Sequence, residues 1–460
     1  MAVFVDRCIW EWRGRRWCHL ISDVSYHELH EFAQRLGIPR RAFQGDHYDL
    51  HEDLRALAID DGAVEVDGRE VIARLRRSGL RLTPTRRRAW RHESVHGFGL
   101  DHVTLRVYDD RWADYEAARP AVHGARAAAF ASRCIPGYAV ADLGCGPGVY
   151  TPLLPVPTIG LDRSAAMLTR ANEAVSGGCW VQADLEDLPF APASLGGAWS
   201  RNGHVHIPSR RLPWALAQLH RAMLPGSPLF LSVVAGDGDG RSGPTDDLPG
   251  RFFARWSVDR LRDVVVGAGF TIDELALPER DRQPIIVSAT RARTLPDTVG
   301  GAMRLLVCGL NPSLVAADAG VGFAGATNRF WKAAQRAGLV ARTHDAQHAL
   351  LECGIGMTDL VKRATPRSAE VTVDEYRDGL ARVERMVSWL RPGAVCFVGL
   401  EGYRATYRGA TVGWQPQLIG GRPAYVMGST SGLNAHESID SLSTHLRLAA
   451  LGPLQRKTGQ

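Results

Sequence analysis

Short apolar runs bounded by turn residues alternate with stretches of helical period along most of the chain. Three such runs stand at or near the start of three segments: Ala2–Asp6 (AVFVD), Tyr138–Gly144 (YAVADLG) and Arg304–Leu310 (RLLVCGL). Each has strand length and a bulky apolar centre, the pattern of a buried strand. After the second and third, a glycine-bearing turn leads straight into a helical pattern. Strand, turn and helix in alternation predict open α/β sheets. Thr158–Asp162 (TIGLD), Cys179–Asp184 (CWVQAD) and Ala394–Tyr403 (AVCFVGLEGY) read as further strands, and Ser25–Pro39 as a helix with Glu28 at capping-box spacing from Ser25. Ligands of open α/β sheets gather beyond the carboxyl ends of the strands, so the residues just after these runs are the ones to read for chemistry.

Two stretches break the pattern. Arg81–Glu93 is arginine-rich, and Ala289–Ala302 carries Pro and Gly without apolar period; both read as linkers. They divide the chain into modules at 1–82, 95–290 and 303–460, which agrees with two to four domains for 460 residues. With 45% hydrophobic and 23% charged residues, disordered, collagen-like and coiled-coil classes are excluded. No apolar run is long enough to span a membrane, and Asp6 and Arg7 interrupt the N-terminus before a signal-peptide core forms. The eight cysteines form no CxxC pair or Cys/His cluster, so they read as buried thiols of a reducing cytoplasm. A net charge of +6 is compatible with a nucleic-acid partner without arguing for one.

The middle module carries Asp142-Leu-Gly144-Cys-Gly146-Pro-Gly148 directly after its strand. Alternate glycines let backbone approach a ligand and turn tightly into a helix. Asp142 can accept from the loop or from a ligand amine. Asp162, at the next strand end, suits the two hydroxyls of a ribose. Asp184, after the third, suits the exocyclic amine of adenine. From the glycine loop alone, a dinucleotide-binding Rossmann domain is the alternative. With the flanking segments, Val107–Ser288 resembles the class I S-adenosylmethionine-dependent methyltransferases. The resemblance implies a Rossmann-like fold, S-adenosyl-L-methionine as cofactor, and contacts from Asp142, Gly144, Gly146, Asp162 and Asp184, with Asp187 or Ser200 nearby. Arg251–Phe270 looks like the late helix of that fold. The family's Asp before the fourth strand is missing, where the chain reads Leu195-Gly196-Gly197. No NPPY-like tetrapeptide or Pro-Cys nucleophile follows, which disfavours nucleobase amines and thiolate-assisted cytosine methylation. His204 and His206 are either acceptor-side residues or packing and capping groups before a helix near Pro208.

In the last module, Asn311-Pro312-Ser313 follows the strand, and Gly320–Leu339 (GVGFAGATNRFWKAAQRAGL), Cys353–Thr372 and Val426–Ser438 (VMGSTSGLNAHES) come after it in order. These motifs closely resemble the mismatch-specific branch of the uracil-DNA glycosylase superfamily over Arg304–Leu451. The resemblance implies a parallel-sheet α/β domain that flips a base out of duplex DNA with G:U or G:T mismatches and cleaves its N-glycosidic bond, without a metal. Asn311 would orient the water. It has no useful pKa as a base, and the Asp of the fast uracil-specific branch's GQDPYH-like motif is absent. Phe323 would stack on the flipped base, with backbone near Leu310 and Phe323 bonding its polar edge. Asn328, Arg329 and Lys332 would contact phosphate or brace the pocket. Ser429, Ser431, Gly432, Leu433 and Asn434 match the DNA-inserting loop, with Leu433 as the wedge. Some family members carry NPSGL followed by Arg; here the loop reads STSGL and position 435 is Ala, which weakens contact to the opposite guanine.

The N-terminal module resembles a small family of uncharacterised bacterial domains. Asp6, Asp23, Asp46, His47 and Asp49 could gather as a metal or hydrolase site, and Arg13, Arg15 and Arg16 could hold a phosphate; caps and surface charge are the alternative. The expectation for the whole is a cytoplasmic DNA repair or modification enzyme with an unassigned methyl acceptor. A non-catalytic DNA-docking module that delivers the methyltransferase, and a small-molecule methyltransferase in an incidental fusion, stand as alternatives.

Overall fold

The computed structural model describes residues 3–12, 14–23, 26–38, 42–44, 46–77, 101–117, 124–278, 284–432, 434 and 437–453. Arg13, Ser25, the Arg81–Glu93 linker, Leu433 and Ala435 lie outside the described residues. The chain forms two compact units, 1–100 and 101–460.

In the first unit, β1 (Val3–Val5) pairs antiparallel with β3 (Arg15–Ser22) and parallel with β5 (Val64–Glu65), while β2 (Trp10–Trp12) and β4 (Tyr48–His51) pair with β3. Strand side chains alternate between faces. Val3, Val5 and Leu20 pack on Leu29, Phe32 and Ala58, from the helices Tyr26–Arg35 and Glu52–Asp60. Phe4 and Ile21 meet Val71 and Leu75 of the helix Gly68–Arg77 on the other face.

The second unit holds two sheets. In the first, β6 (Ala139–Leu143), β7 (Thr158–Asp162), β8 (Cys179–Gln182), β9 (Leu195–Arg201) and β10 (Pro228–Ala235) are parallel, in the order β8-β7-β6-β9-β10. A hairpin of β11 (Gly238–Arg241) and β12 (Phe252–Trp256) joins the carboxyl end of β10. β13 (Phe270–Ala276) and β14 (Pro284–Arg291) add an antiparallel edge. This is a Rossmann-like sheet. Arg251–Phe270, expected as one helix, divides into β12 and the helix Val258–Gly267. The buried positions Ala254 and Trp256 alternate, and helical spacing begins only with Leu261, Val264 and Val265.

The second sheet runs β16-β15-β17-β19-β18, from β15 (Leu305–Gly309), β16 (Ile355–Asp359), β17 (Val395–Val398), β18 (Gly413–Ile419) and β19 (Arg422–Met427); all pairs are parallel except β18–β19. Leu305 and Val307 face Trp331 and Leu446, while Leu306 and Cys308 face Leu380, Val383 and Val387. Helices therefore cover both faces, as parallel sheets require.

The stretch Ala289–Ala302 is not a free linker. Its first residues complete β14, and Thr294, Leu295, Asp297 and Val299 are buried. Asp297 accepts from Thr358 (2.6 Å), Lys362 (2.8 Å) and Arg382 (2.6 Å), and its N–H bonds to the Gly267 carbonyl at 2.7 Å. Arg385 forks onto Asp263 at 2.7 and 2.8 Å, and Trp214 of the first sheet's helix layer packs into the core of the second. The two halves of this unit are thus packed as one body of contacts. Polar residues gave the stretch its linker composition, and long-range partners satisfy them.

Among the described residues no helix is long and apolar enough to cross a membrane. Cys18, Cys145, Cys308 and Cys396 are buried as expected, but Cys179, opening the edge strand β8, is exposed.

Candidate functional site

The carboxyl ends of the first parallel sheet bring three acidic residues into line. Asp142 lies near the end of β6 and Asp162 at the end of β7; Asp184 follows β8. The loop between β6 and the next helical turn takes positive φ at Gly144 (69°), Gly146 (54°) and Gly148 (79°). A Cβ on Gly144 would stand 2.5 Å from Gly203 Cα, so only glycine lets the two chain segments cross. Asp162 holds this loop: its carboxylate accepts from Gly146 N–H (2.9 Å) and Ser164 N–H (2.8 Å). Arg163 N–H also faces the carboxylate, and the lone-pair capacity left over can take a ligand hydroxyl. Asp142 accepts from the Thr151 hydroxyl at 2.7 Å, so it serves the loop, and burial pushes its carboxyl up to about 7. Asp184 is partly open and accepts from Glu186 N–H at 3.0 Å.

His204 and His206 follow β9 in a single tight turn. His204 is buried, its Nδ1 2.6 Å from Ser200 Oγ and its Nε2 without a partner among the described residues. Burial holds its imidazole down to about 4. His206 Nδ1 bonds the Phe252 carbonyl, and its Nε2 lies 2.8 Å from Tyr108 Oη, which accepts from Arg251 at 3.0 Å. Burial holds the His206 imidazole down to about 4, so the ring is neutral, and with Nδ1–H donating to the carbonyl Nε2 is the acceptor. His206 is thus held at both ring nitrogens, as the packing alternative has it, whereas His204 is held through Nδ1 alone.

The second sheet ends in a different chemistry. Asn311 stands two residues beyond β15. Its Nδ2 lies 3.1 Å from the Arg363 carbonyl, 2.7 Å from Thr365 Oγ1 and 3.2 Å from the Pro312 carbonyl. The two carbonyls can only accept, and Thr365 spends its own proton on the Arg367 carbonyl at 2.8 Å. The amide is therefore oriented by its donors, which leaves Oδ1 as the acceptor for a further molecule. Leu310 lies against Gly399 and Gly402, and its carbonyl accepts from Val361 N–H at 2.9 Å. That bond takes one of the two lone pairs of a backbone carbonyl in the stretch expected to meet the polar edge of the base.

Phe323 sits in the left-handed region, φ 58°, which is strained for a bulky residue. Two contacts hold the segment: the ring stacks on Phe330 at 4.1 Å and 21°, and Trp331 Nε1 donates to the Gly322 carbonyl at 2.8 Å. A Cβ on Gly309 would stand 3.6 Å from Phe323 Cζ and 2.4 Å from Asp359 Oδ1. Ring tip and carboxylate thus both reach the Gly309 backbone, two residues before Asn311. Asp359 closes β16 and was missed by the sequence reading. Its burial pushes the carboxyl up to about 6, with Lys362 and Arg382 opposing and Asp297 adding to the rise. The signal was present: an acidic residue ending an apolar strand, as at Asp162.

The loop with Ser429, Ser431, Gly432 and Asn434 follows β19. Arg329 pins it from within, donating to the carbonyls of Ser431 (3.0 Å), Asn434 (2.6 Å) and Glu437. Of the two roles the sequence left open for Arg329, bracing is the one realised. Asn434 Nδ2 donates to the Ser429 carbonyl at 2.9 Å, and Ser429 Oγ accepts from Ser431 N–H at 3.2 Å. Gly432 crosses Thr327 so closely that a Cβ would meet it at 2.6 Å. Leu433 is outside the described residues. Lys332 is exposed on the helix Phe330–Arg336 and is not drawn into the pocket.

In the first unit, Asp6, Asp46, His47 and Asp49 gather as the sequence suggested, joined by His19, whereas Asp23 pairs with Arg74 at 2.8 Å. Arg15 faces Asp53 at 3.5 Å and Arg16 is exposed.

Three family models match parts of the chain: a protein of unknown function over residues 3–78, a methyltransferase domain over 140–226, and the uracil DNA glycosylase superfamily over 296–449. The chain therefore carries a methyltransferase domain and a uracil DNA glycosylase superfamily domain. Solved structures similar to part of it include a SAM-dependent methyltransferase from Methanosarcina mazei, at 14% identity over 35% of this chain and 95% of that one, TM-score 0.32. Another is an S-adenosylmethionine-dependent methyltransferase from Mesorhizobium loti, at 20% identity over 39% and 97%, TM-score 0.29. A third is magnesium protoporphyrin IX methyltransferase from Synechocystis PCC 6803, at 16% identity over 42% and 100%, TM-score 0.34.

Proposed function

We propose that the chain is a DNA repair or modification enzyme that joins a glycosylase for uracil or thymine opposite guanine to an S-adenosyl-L-methionine-dependent methyltransferase. The observation that carries the first part is the Asn311 amide, fixed through its donors on the 363–365 loop with Oδ1 left to accept. A flipped base stacks on Phe323, whose other face is taken by Phe330. Asn311 Oδ1 accepts a hydrogen bond from the attacking water and aims its oxygen at the sugar carbon. As the N-glycosidic bond breaks, its electron pair leaves with the base and positive charge develops on the sugar. Asp359, ionised above about 6, offsets that charge and takes the water's proton. The loop 429–434 supplies DNA-backbone contacts, with Leu433 as wedge, and Lys332 is free to meet a phosphate.

The methyltransferase reading rests on the donor set. Carboxylates at adjacent strand ends, beside a loop only glycines can form, fit an adenosyl group: Asp162 for the ribose hydroxyls, Asp184 for the adenine amine, Gly144 and Gly146 for close backbone approach. S-adenosyl-L-methionine supplies an activated methyl group when bound. The incidental-fusion alternative is disfavoured by the buried Asp297 network, which ties the helix carrying Gly267 to the strand that delivers Asp359. The test is incubation of the whole chain with duplexes bearing uracil or thymine opposite guanine, followed by alkaline cleavage. Strand breaks at those bases support the reading. Tight DNA binding without breaks favours a docking module.

A further inference from the structure

The first unit holds a cluster that neither proposed activity uses. His19 on β3 and His47 before β4 stand edge to face, ring centroids 5.0 Å apart. Each ring has one nitrogen tied to a buried carboxylate. His19 Nδ1 is 2.8 Å from Asp6 Oδ2, and His47 Nδ1 is 2.5 Å from Asp46 Oδ1. Asp6 and Asp46 are only 2% and 0% exposed, and Asp6 is fixed further by His19 N–H at 2.6 Å. A carboxylate on one imidazole nitrogen sets the tautomer, orients the ring and raises the basicity of the other nitrogen, the arrangement that prepares a histidine for a metal ion.

The remaining donors converge. His47 Nε2 lies 3.2 Å from Asp49 Oδ1, and ligand atoms of His19, His47 and Asp49 all lie within 4.8 Å of one another. Two ligands at 2.0–2.2 Å from a tetrahedral zinc ion are about 3.4 Å apart, so the His47–Asp49 spacing already suits a shared ion. The third donor needs to close by only about 1.4 Å on the same geometry. His19 and His47 also line a cavity of about 610 Å³ with Ile9, Gly68 and Arg69. One side of the cluster is therefore open to a molecule from solvent.

We propose that His19, His47 and Asp49 bind a divalent transition-metal ion of the zinc type, with Asp6 and Asp46 orienting the imidazoles. Two nitrogens and one carboxylate suit zinc, iron or cobalt, whereas calcium and magnesium prefer oxygen ligands alone. Three protein ligands with the fourth side on a cavity is the form of a site that keeps an exchangeable water.

The test uses the full chain, stripped with a chelator and titrated with Co²⁺ by calorimetry and visible absorption. Wild type is expected to bind one equivalent more than His19→Ala or His47→Gln, with the absorption of a low-symmetry nitrogen and oxygen site. Asp46→Asn removes no ligand and is expected to weaken binding by about 10- to 100-fold at unchanged stoichiometry. No uptake by wild type, or equal uptake by wild type and both histidine variants, overturns the proposal. If the histidine variants fail to fold, Asp46→Asn decides: unchanged cobalt affinity overturns it.

Discussion

Phe323 is a residue whose stability and activity effects separate cleanly. Its φ of 58° costs about 1–3 kcal/mol for a bulky side chain. Glycine relieves that strain; alanine, which still carries a Cβ, does not. Either substitution loses the stack on Phe330, worth about 0.5–1.5 kcal/mol, and roughly another 1 kcal/mol of partial burial. For Phe323→Gly, gain and loss nearly cancel, and the expected change is within about 1 kcal/mol. For Phe323→Ala the loss stands alone, about 1.5–2.5 kcal/mol. Glycine should therefore exceed alanine by about 1 kcal/mol, the reverse of their order at ordinary backbone angles. Excision should fall in both, because base–aromatic stacking is worth about 1–3 kcal/mol, a factor of roughly 5 to 150. Urea denaturation and single-turnover excision of uracil opposite guanine measure the two effects. An alanine variant as stable as the glycine one refutes the strained backbone. Wild-type excision in either variant refutes the stacking role.

S-adenosylhomocysteine should bind the wild-type chain and raise its Tm, and Asp162→Ala should lose most of that shift by calorimetry without unfolding; binding of NAD instead would sink the adenosyl site. Excision should decline as pH falls through about 6, where Asp359 takes up its proton, and Asp359→Asn should flatten that limb of the profile. The stability contribution runs the other way. A carboxyl whose folded pKa is raised favours the fold more once protonated, so the Asp359 contribution improves as pH falls from above 6 toward the ordinary carboxylate range. Thr365→Val removes the hydroxyl that holds Asn311 Nδ2 at 2.7 Å and should slow excision by about 0.5–1.5 kcal/mol of lost positioning, roughly 2- to 13-fold, with DNA affinity unchanged.

The strand ends were legible from the sequence because apolar runs closing on Asp142, Asp162 and Asn311 carry their own punctuation. Asp359 obeys the same rule but hides in MTDLVKR, where neighbouring charge masks the strand end. The bracing role of Arg329 depends on carbonyls more than 100 residues away, which no local pattern encodes. His19 escaped notice for a similar reason. It sits mid-strand, and its carboxylate partner is on the neighbouring strand edge. The stretch Ala289–Ala302 misled because a buried polar residue and an exposed one look alike in composition; only the partners of Asp297 tell them apart.

The central claim, that Asn311 positions the water of a base-excising site, is tested most directly by Asn311→Ala. Single-turnover release of uracil opposite guanine and duplex affinity should be measured on the same preparation at one salt concentration. Phosphate contacts dominate affinity, so binding should stay near wild type while excision falls below detection. Excision by Asn311→Ala at the wild-type rate would contradict the account and move the chemistry to another residue.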